Sequence, residues 1–155
     1  MAPSTPTPCI PFLAELASAC RADGRIPESI ALHEQNLAIR ERKLGPDDPD
    51  TLSSRHGLAK ALAAAGRLVD AVPLFQQTAA DLERVLGADH PVTLASRSGL
   101  AAVYGSAGWF AEAIALHESA VADAERVLGA SQPETLAFRN DLAAAYHQAG
   151  RAVRP

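Results

Sequence analysis

The sequence predicts an all-α repeat protein, and three observations carry that expectation. First, Gly24, Gly66, Gly108 and Gly150 fall 42 residues apart, and Gly45, Gly87, Gly129 and Pro49, Pro91, Pro133 keep the same step. Residues 49–90 and 91–132, laid over each other without a gap, are identical at 20 of 42 positions. A fixed period of this size marks an architecture of stacked units. Second, apolar residues within a unit recur at spacings of mostly three and four, the helical period, and the alternation of a strand is missing. Third, alanine, the best helix former, supplies much of the 48% hydrophobic content.

The units run 7–48, 49–90 and 91–132, with a partial fourth at 133–155: three and a half units, or seven helices. Residues 1–9 read as a flexible proline-rich N-terminus, 10–150 as the repeat domain and 151–155 as a tail. The first unit is degenerate in its front half. Its back half begins at Pro27, an accepted residue for a helix start, and "ESIALHE" (28–34) returns as "EAIALHE" (112–118). In the second unit, Leu52, Leu58, Ala59, Leu62 and Ala65 form the stripe of a first helix; Leu68, Val72, Phe75, Leu82 and Leu86 form that of a second. Gly66 between them ends one helix and begins a tight turn. Pro73 lies early in a helix expected to begin near Val69, where it forfeits at most about one hydrogen bond.

The units meet at "LGPDDPDTL" (44–52), "LGADHPVTL" (86–94) and "LGASQPETL" (128–136). Leu-Gly closes one helix; Asp48-Pro49 reads as an N-cap followed by proline at the first helical position. Asp50 and Glu134 suit the helix dipole. Ser131 and Gln132 replace Asp47 and Asp48 with the loop otherwise intact, so the acids read as capping and solvation chemistry, not as a calcium or phosphate site. His90 is read as a cap on the same ground. Arg42, Arg84 and Arg126, beside Glu41, Glu83 and Glu125, read as a solvated ladder of ion pairs.

A formal net charge of −4 and a pI near 5.7 leave no electrostatic footprint for nucleic acid. No apolar run is long enough for a transmembrane helix, and no basic amphipathic stretch points to a membrane surface. Cys9 and Cys20 make neither a disulfide framework nor a zinc set; Cys20 aligns with Leu62, Tyr104 and Tyr146 and is expected in the core. "LASAC" (16–20) looks like the end of a lipoprotein leader, but no Lys or Arg precedes it. A cytoplasmic, bacterial setting is expected. His33-Glu34 and His117-Glu118 lack the second histidine four residues on that a zinc-protease helix needs, since Leu37 and Val121 stand there. They read as amphipathic residues on the flank of a helix stripe. With no nucleophile elbow or phosphate loop either, the expectation is no enzyme: no catalytic residue, no metal and no cofactor.

"LAKALAAAGRLVDAVPLF" (58–75), "LAAVYGSAGWFAEAIALH" (100–117) and "LAAAYHQAGR" (142–151) resemble the tetratricopeptide repeat (TPR). Leu58-Ala59, Leu62, Gly66 and Ala71, then Leu100-Ala101, Tyr104, Gly108 and Ala113, follow that family's order of Leu-small pair, large residue, turn glycine and small residue. The 42-residue unit and the "ERVLG-x-x-x-P-x-T-L" junction are similar to the long-unit variety of kinesin light chains and bacterial arrays. The chain departs from the short-unit pattern at Arg55, Arg97 and Arg139, which stand in place of a large aromatic, and at His33 and His117 in the position of Phe75. A natural role for the three arginines is to meet the recurring glutamates between repeats and fix the superhelical step.

The resemblance implies a right-handed α-solenoid whose concave face, lined by first helices, holds a peptide or helix of a partner protein. By position, the inward-facing candidates are Ser53, His56, Gly57, Lys60 and Ala64; then Ala95, Ser98, Gly99, Ala102 and Ser106; then Asn140, Asp141, Ala144, His147 and Gln148. The implied function is a protein–protein interaction module, as adaptor or as regulatory fragment of a longer array. The alternative is a self-associating scaffold joined through exposed terminal helices, the proline-rich start leaving the first face poorly capped.

Overall fold

A computed structural model describes residues 10–153; the N-terminal segment 1–9, with Cys9, and residues 154–155 lie outside the described residues, and so do the expectations for them. The seven helices are α1 (Ile10–Ala22), α2 (Ile26–Leu44), α3 (Pro49–Ala64), α4 (Leu68–Leu86), α5 (Pro91–Ser106), α6 (Phe110–Leu128) and α7 (Pro133–Val153).

Local chemistry sets their ends. Gly66 takes φ +78°, which lets the Arg67 N–H bond the Leu62 carbonyl and the Gly66 N–H that of Ala63, both at 3.0 Å. This is the glycine C-cap that satisfies the last carbonyls of a helix. At the junctions Asp48 Oδ1 accepts from the Asp50 N–H at 2.9 Å and His90 Nδ1 from the Val92 N–H at 3.1 Å, so both residues cap as their positions imply. The threonine of Pro-x-Thr-Leu is buried: Thr93 and Thr135 donate to the carbonyls of Leu82 and Ala124 at the end of the preceding helix.

Pro73 is the sixth residue of α4, which begins at Leu68; the helix continues through it and loses only one bond, as expected, that to Val69, a residue 88% exposed to water. One local expectation needs adjustment. At Gly150 the helix does not turn: α7 continues to Val153, taking in part of the expected tail. The earlier turns are held by a second helix packed against the first; α7 has no such companion among the described residues, and helical propensity decides.

Each helix packs on its neighbours in sequence. The odd-numbered helices also touch one another, α1 with α3, α3 with α5 and α5 with α7, whereas the even-numbered ones do not. The odd helices therefore line the inside of a curve and the even ones splay on its outside, the right-handed α-solenoid of three and a half helix pairs. Small residues make the close contacts. Ala59 and Ala101 are fully buried, and a Cβ on Gly57 would stand 2.8 Å from His33 Cε1, one on Gly99 2.9 Å from Phe75 Cε1. A ring from α2 and one from α4 thus rest on bare backbone of the next first helix, α3 and α5. His33 and His117 occupy the Phe75 position and are 5% and 3% exposed; they are core rings, not residues of a helix flank. Cys20 is buried as expected.

The recurring arginines find aspartates. Arg55 bonds Asp81 at 2.8 Å and Arg97 bonds Asp123 at 2.9 Å, each on the second helix of the same unit. Arg97 also donates to the Ala88 carbonyl, tying the unit to the junction before it. Only Arg139 makes a close contact with one of the glutamates, Glu125; Arg55 lies 3.8 Å from Glu41. The junction acids do more than cap and solvate. Asp47 pairs with Arg84 at 2.7 Å and Asp89 with Arg126 at 2.5 Å, and these hydrogen bonds hold both carboxyls below their usual range. Arg84 and Arg126 in turn touch Asp81 and Asp123, so junction, second helix and first helix are linked in series.

Replacing Arg97 with Leu removes a mostly buried guanidinium that serves a carboxylate, a hydroxyl and a carbonyl. The expected cost is about 1–3 kcal/mol in urea unfolding; an unchanged midpoint would show that the series does not hold the step.

Candidate functional site

The inner faces of α3, α5 and α7, with the start of α6, enclose a concave cavity of about 450 Å³. Ten of the fifteen positional candidates line it: His56, Lys60, Ala95, Ser98, Gly99, Ala102, Ser106, Asp141, Ala144 and Gln148. Ser53, Ala64 and Asn140 are exposed but not on it, Gly57 lies against the His33 ring, and His147 borders a separate recess with Tyr146 and Arg151. The positional reading missed Phe110, Ala113 and His117 of α6 and Phe138 of α7, which complete the wall. A signal for them exists in the repeat. Positions 57, 99 and 141 are equivalent and read Gly, Gly, Asp, while 33, 75 and 117 read His, Phe, His.

That series distinguishes the third interface from the second. At Gly99 the Phe75 ring and His56 close onto backbone. At the next interface Asp141 replaces the glycine, and its carboxylate takes up the space, accepting from Ser98 Oγ at 3.1 Å. The cavity lies beside it, between α3, α5, α6 and α7, and is lined largely by small residues.

The gap is polar at its ends and apolar between them. His56 is pushed down to about 4, first by burial and then by the charge of Lys60; its ring meets Phe75 edge to face at 5.4 Å. His33 and His117 are also lowered, chiefly by burial, Asp141 opposing the shift at His117. All three imidazoles are therefore neutral at pH 7, and their Nδ1 atoms have no hydrogen-bond partner among the described residues. Lys60 is lowered by partial burial and by Arg21, with which it lines a second recess. The groove thus has cationic groups toward α1 and α3 and a carboxylate on α7. Among the described residues no group of three or more potential metal ligands occurs, and no helix is long and apolar enough to cross a membrane.

Comparison with known proteins gives the same architecture. The family model described as tetratricopeptide repeat matches residues 11–82 and again 59–125. Among solved structures, a Podosopora anserina putative kinesin light chain with nearly identical TPR-like repeats is 35% identical, with a TM-score of 0.83, over 92% of this chain and 67% of that one. A variant of that same protein superposes with a TM-score of 0.82 over the same shares of the two chains. BtubC (BKLC) from P. vanneervenii shares the fold, with a TM-score of 0.77 at 19% identity over 96% of this chain and 61% of that one. No curated protein matches the sequence.

The buried histidines make stability fall in acid. His56 binds its proton less readily folded than unfolded, so its contribution is complete above 6.5 and is lost as pH falls toward about 4. The urea midpoint is expected to drop across that window, and to drop less in His56→Asn; equal slopes for the two proteins would contradict the assignment.

Proposed function

Because the chain belongs to the tetratricopeptide repeat family, we propose that it is a protein-interaction module that holds a peptide or helix of a partner protein in the cavity between α3, α5, α6 and α7. The family is generally one of protein-binding scaffolds, and the observation that supports this site is the cavity, with ten position-inferred residues on one concave surface. Its volume lies within the range of ligand pockets. Ala102 and Ala144 offer a floor without long side chains, Phe110 and Phe138 offer apolar contact, and Lys60 and Asp141 give the two ends opposite charge. A segment entering this groove is oriented by its charges and held by its apolar side chains. No catalytic, metal or cofactor role enters this reading, which is that of an adaptor or a regulatory part of a longer array, working in the cytoplasm.

Two substitutions on exposed groove positions test it, Ala102→Glu with Ala144→Glu, their thermal unfolding compared with wild type to verify the fold. Peptides enriched on the immobilised wild-type chain from a displayed library are expected to bind the double variant at least about tenfold more weakly. Undiminished binding would place the interaction elsewhere; failure to enrich any peptide, with a mass above one chain in light scattering, would favour a self-associating scaffold.

A further inference from the structure

Asp47, Asp81, Asp89 and Asp123 are each met by an arginine from a different element of the array: Arg84, Arg55, Arg126 and Arg97. Asp141 joins α7 to α5 without one. Its Oδ2 accepts from Ser98 Oγ at 3.1 Å. Among the described residues no donor reaches its Oδ1, and no lysine or arginine pairs with the carboxylate. Among the described residues it is also the one carboxylate that lines the cavity.

The surroundings of Asp141 are built around it. On α7, Phe138, Asp141, Ala145 and Gln148 follow at spacings of three and four and share the face turned to α5. Gln148 Oε1 lies over Gly105, 3.1 Å from where a Cβ would stand, as Asp141 lies over Ser98. The two contacts are seven residues apart on each helix, about 10 Å along the axis. Ala102 and Ala145, between them, have no side chain beyond Cβ. From α6, His117 lines the cavity at 3% exposure with no partner for its Nδ1. It is close enough for the Asp141 charge to oppose the lowering that burial imposes on it. Phe110 and Phe138 add aromatic rings to the wall.

We infer that this end of the groove is a subsite for an arginine side chain of the bound segment, its guanidinium donating to Asp141 and Ser98 Oγ beside the His117 ring. The aliphatic stem then runs over Ala102 and Ala145 toward Gln148, whose amide is free to meet the segment's backbone. A planar fork of N–H donors suits acceptors spread over α5, α6 and α7 and stacks on aromatic rings; an ammonium is a more strongly hydrated point charge. Lys60 stands with Arg21 at the opposite end of the groove, so the segment lies with its arginine on α7. The subsite rests on the groove reading above and assigns the residue chemistry by which the groove selects its partner.

The peptides enriched on the immobilised wild-type chain are the probe, and they are expected to share one arginine. Replacing it with citrulline, which keeps the shape and loses the charge, is expected to weaken binding about tenfold, and replacing it with lysine about threefold. Asp141→Asn, a change at an exposed position that keeps an acceptor for Ser98, is expected to bind the arginine and citrulline peptides within about twofold of each other. That lost difference is the signature of a direct pair, which a change in the shape of the wall would not produce. Peptides weakened by Ala102→Glu with Ala144→Glu that share no arginine overturn the subsite and leave the groove standing. So does an arginine whose replacement costs as much on Asp141→Asn as on wild type. Peptides that bind the Ala102→Glu, Ala144→Glu chain undiminished, or a library from which none is enriched, overturn the groove and the subsite with it.

Discussion

The contact on which the rest of the structure depends is a flat ring pressed against a helix that has no side chain to keep it away. His33 lies so close to Gly57, and Phe75 to Gly99, that a Cβ added at either glycine would stand only 2.8–2.9 Å from the ring. Interiors at such density do not deform continuously, so this contact sets both the distance and the angle from one helix pair to the next. Curvature follows: first helices meet one another and second helices do not. At position 141, beside the groove, an aspartate stands in place of the glycine that such a contact needs.

Charge then fixes what packing brings close. The links from Asp47 through Arg84 and Asp81 to Arg55, and from Asp89 through Arg126 and Asp123 to Arg97, repeat at the 42-residue step. The outer members are exposed and contribute little individually. The inner guanidiniums of Arg55 and Arg97 are mostly buried, and their loss would leave Asp81 and Asp123 with only their exposed partners, Arg84 and Arg126. The same logic holds the core histidines neutral: an imidazole can replace phenylalanine at positions 33 and 117 only without its proton.

What can be read from the sequence is local. The period, the Schellman-type turn at Gly66, the Asp48 and His90 caps and the burial of Cys20 all depend on residues a few positions apart. Pairings between distant residues are not legible in that way. Arg97 meets Asp123 across 26 residues and Arg84 meets Asp47 across 37; nothing in spacing alone distinguishes these aspartates from the neighbouring glutamates. The polarity of histidine puts His33 and His117 on a helix flank, although their alignment with Phe75 already places them inside. For the groove, position within the unit yields ten of the lining residues. Ser53, Gly57, Ala64, Asn140 and His147 do not join them on the cavity, because equivalence between repeats fixes the face of a helix and not where along the array the cavity lies. The change from glycine to aspartate at 141 is in plain view; its consequence requires knowing which ring faces it.

The central claim is that the ring-on-glycine contact sets the step between repeats and that its absence at position 141 makes the groove. A crystal structure of the double variant Asp141→Gly, His117→Phe tests it most directly, since it gives the third interface the residues of the second. The account predicts that α7 closes on α5 and α6 and that most of the cavity of about 450 Å³ disappears. A cavity of unchanged volume, with α7 where it now lies, would contradict it.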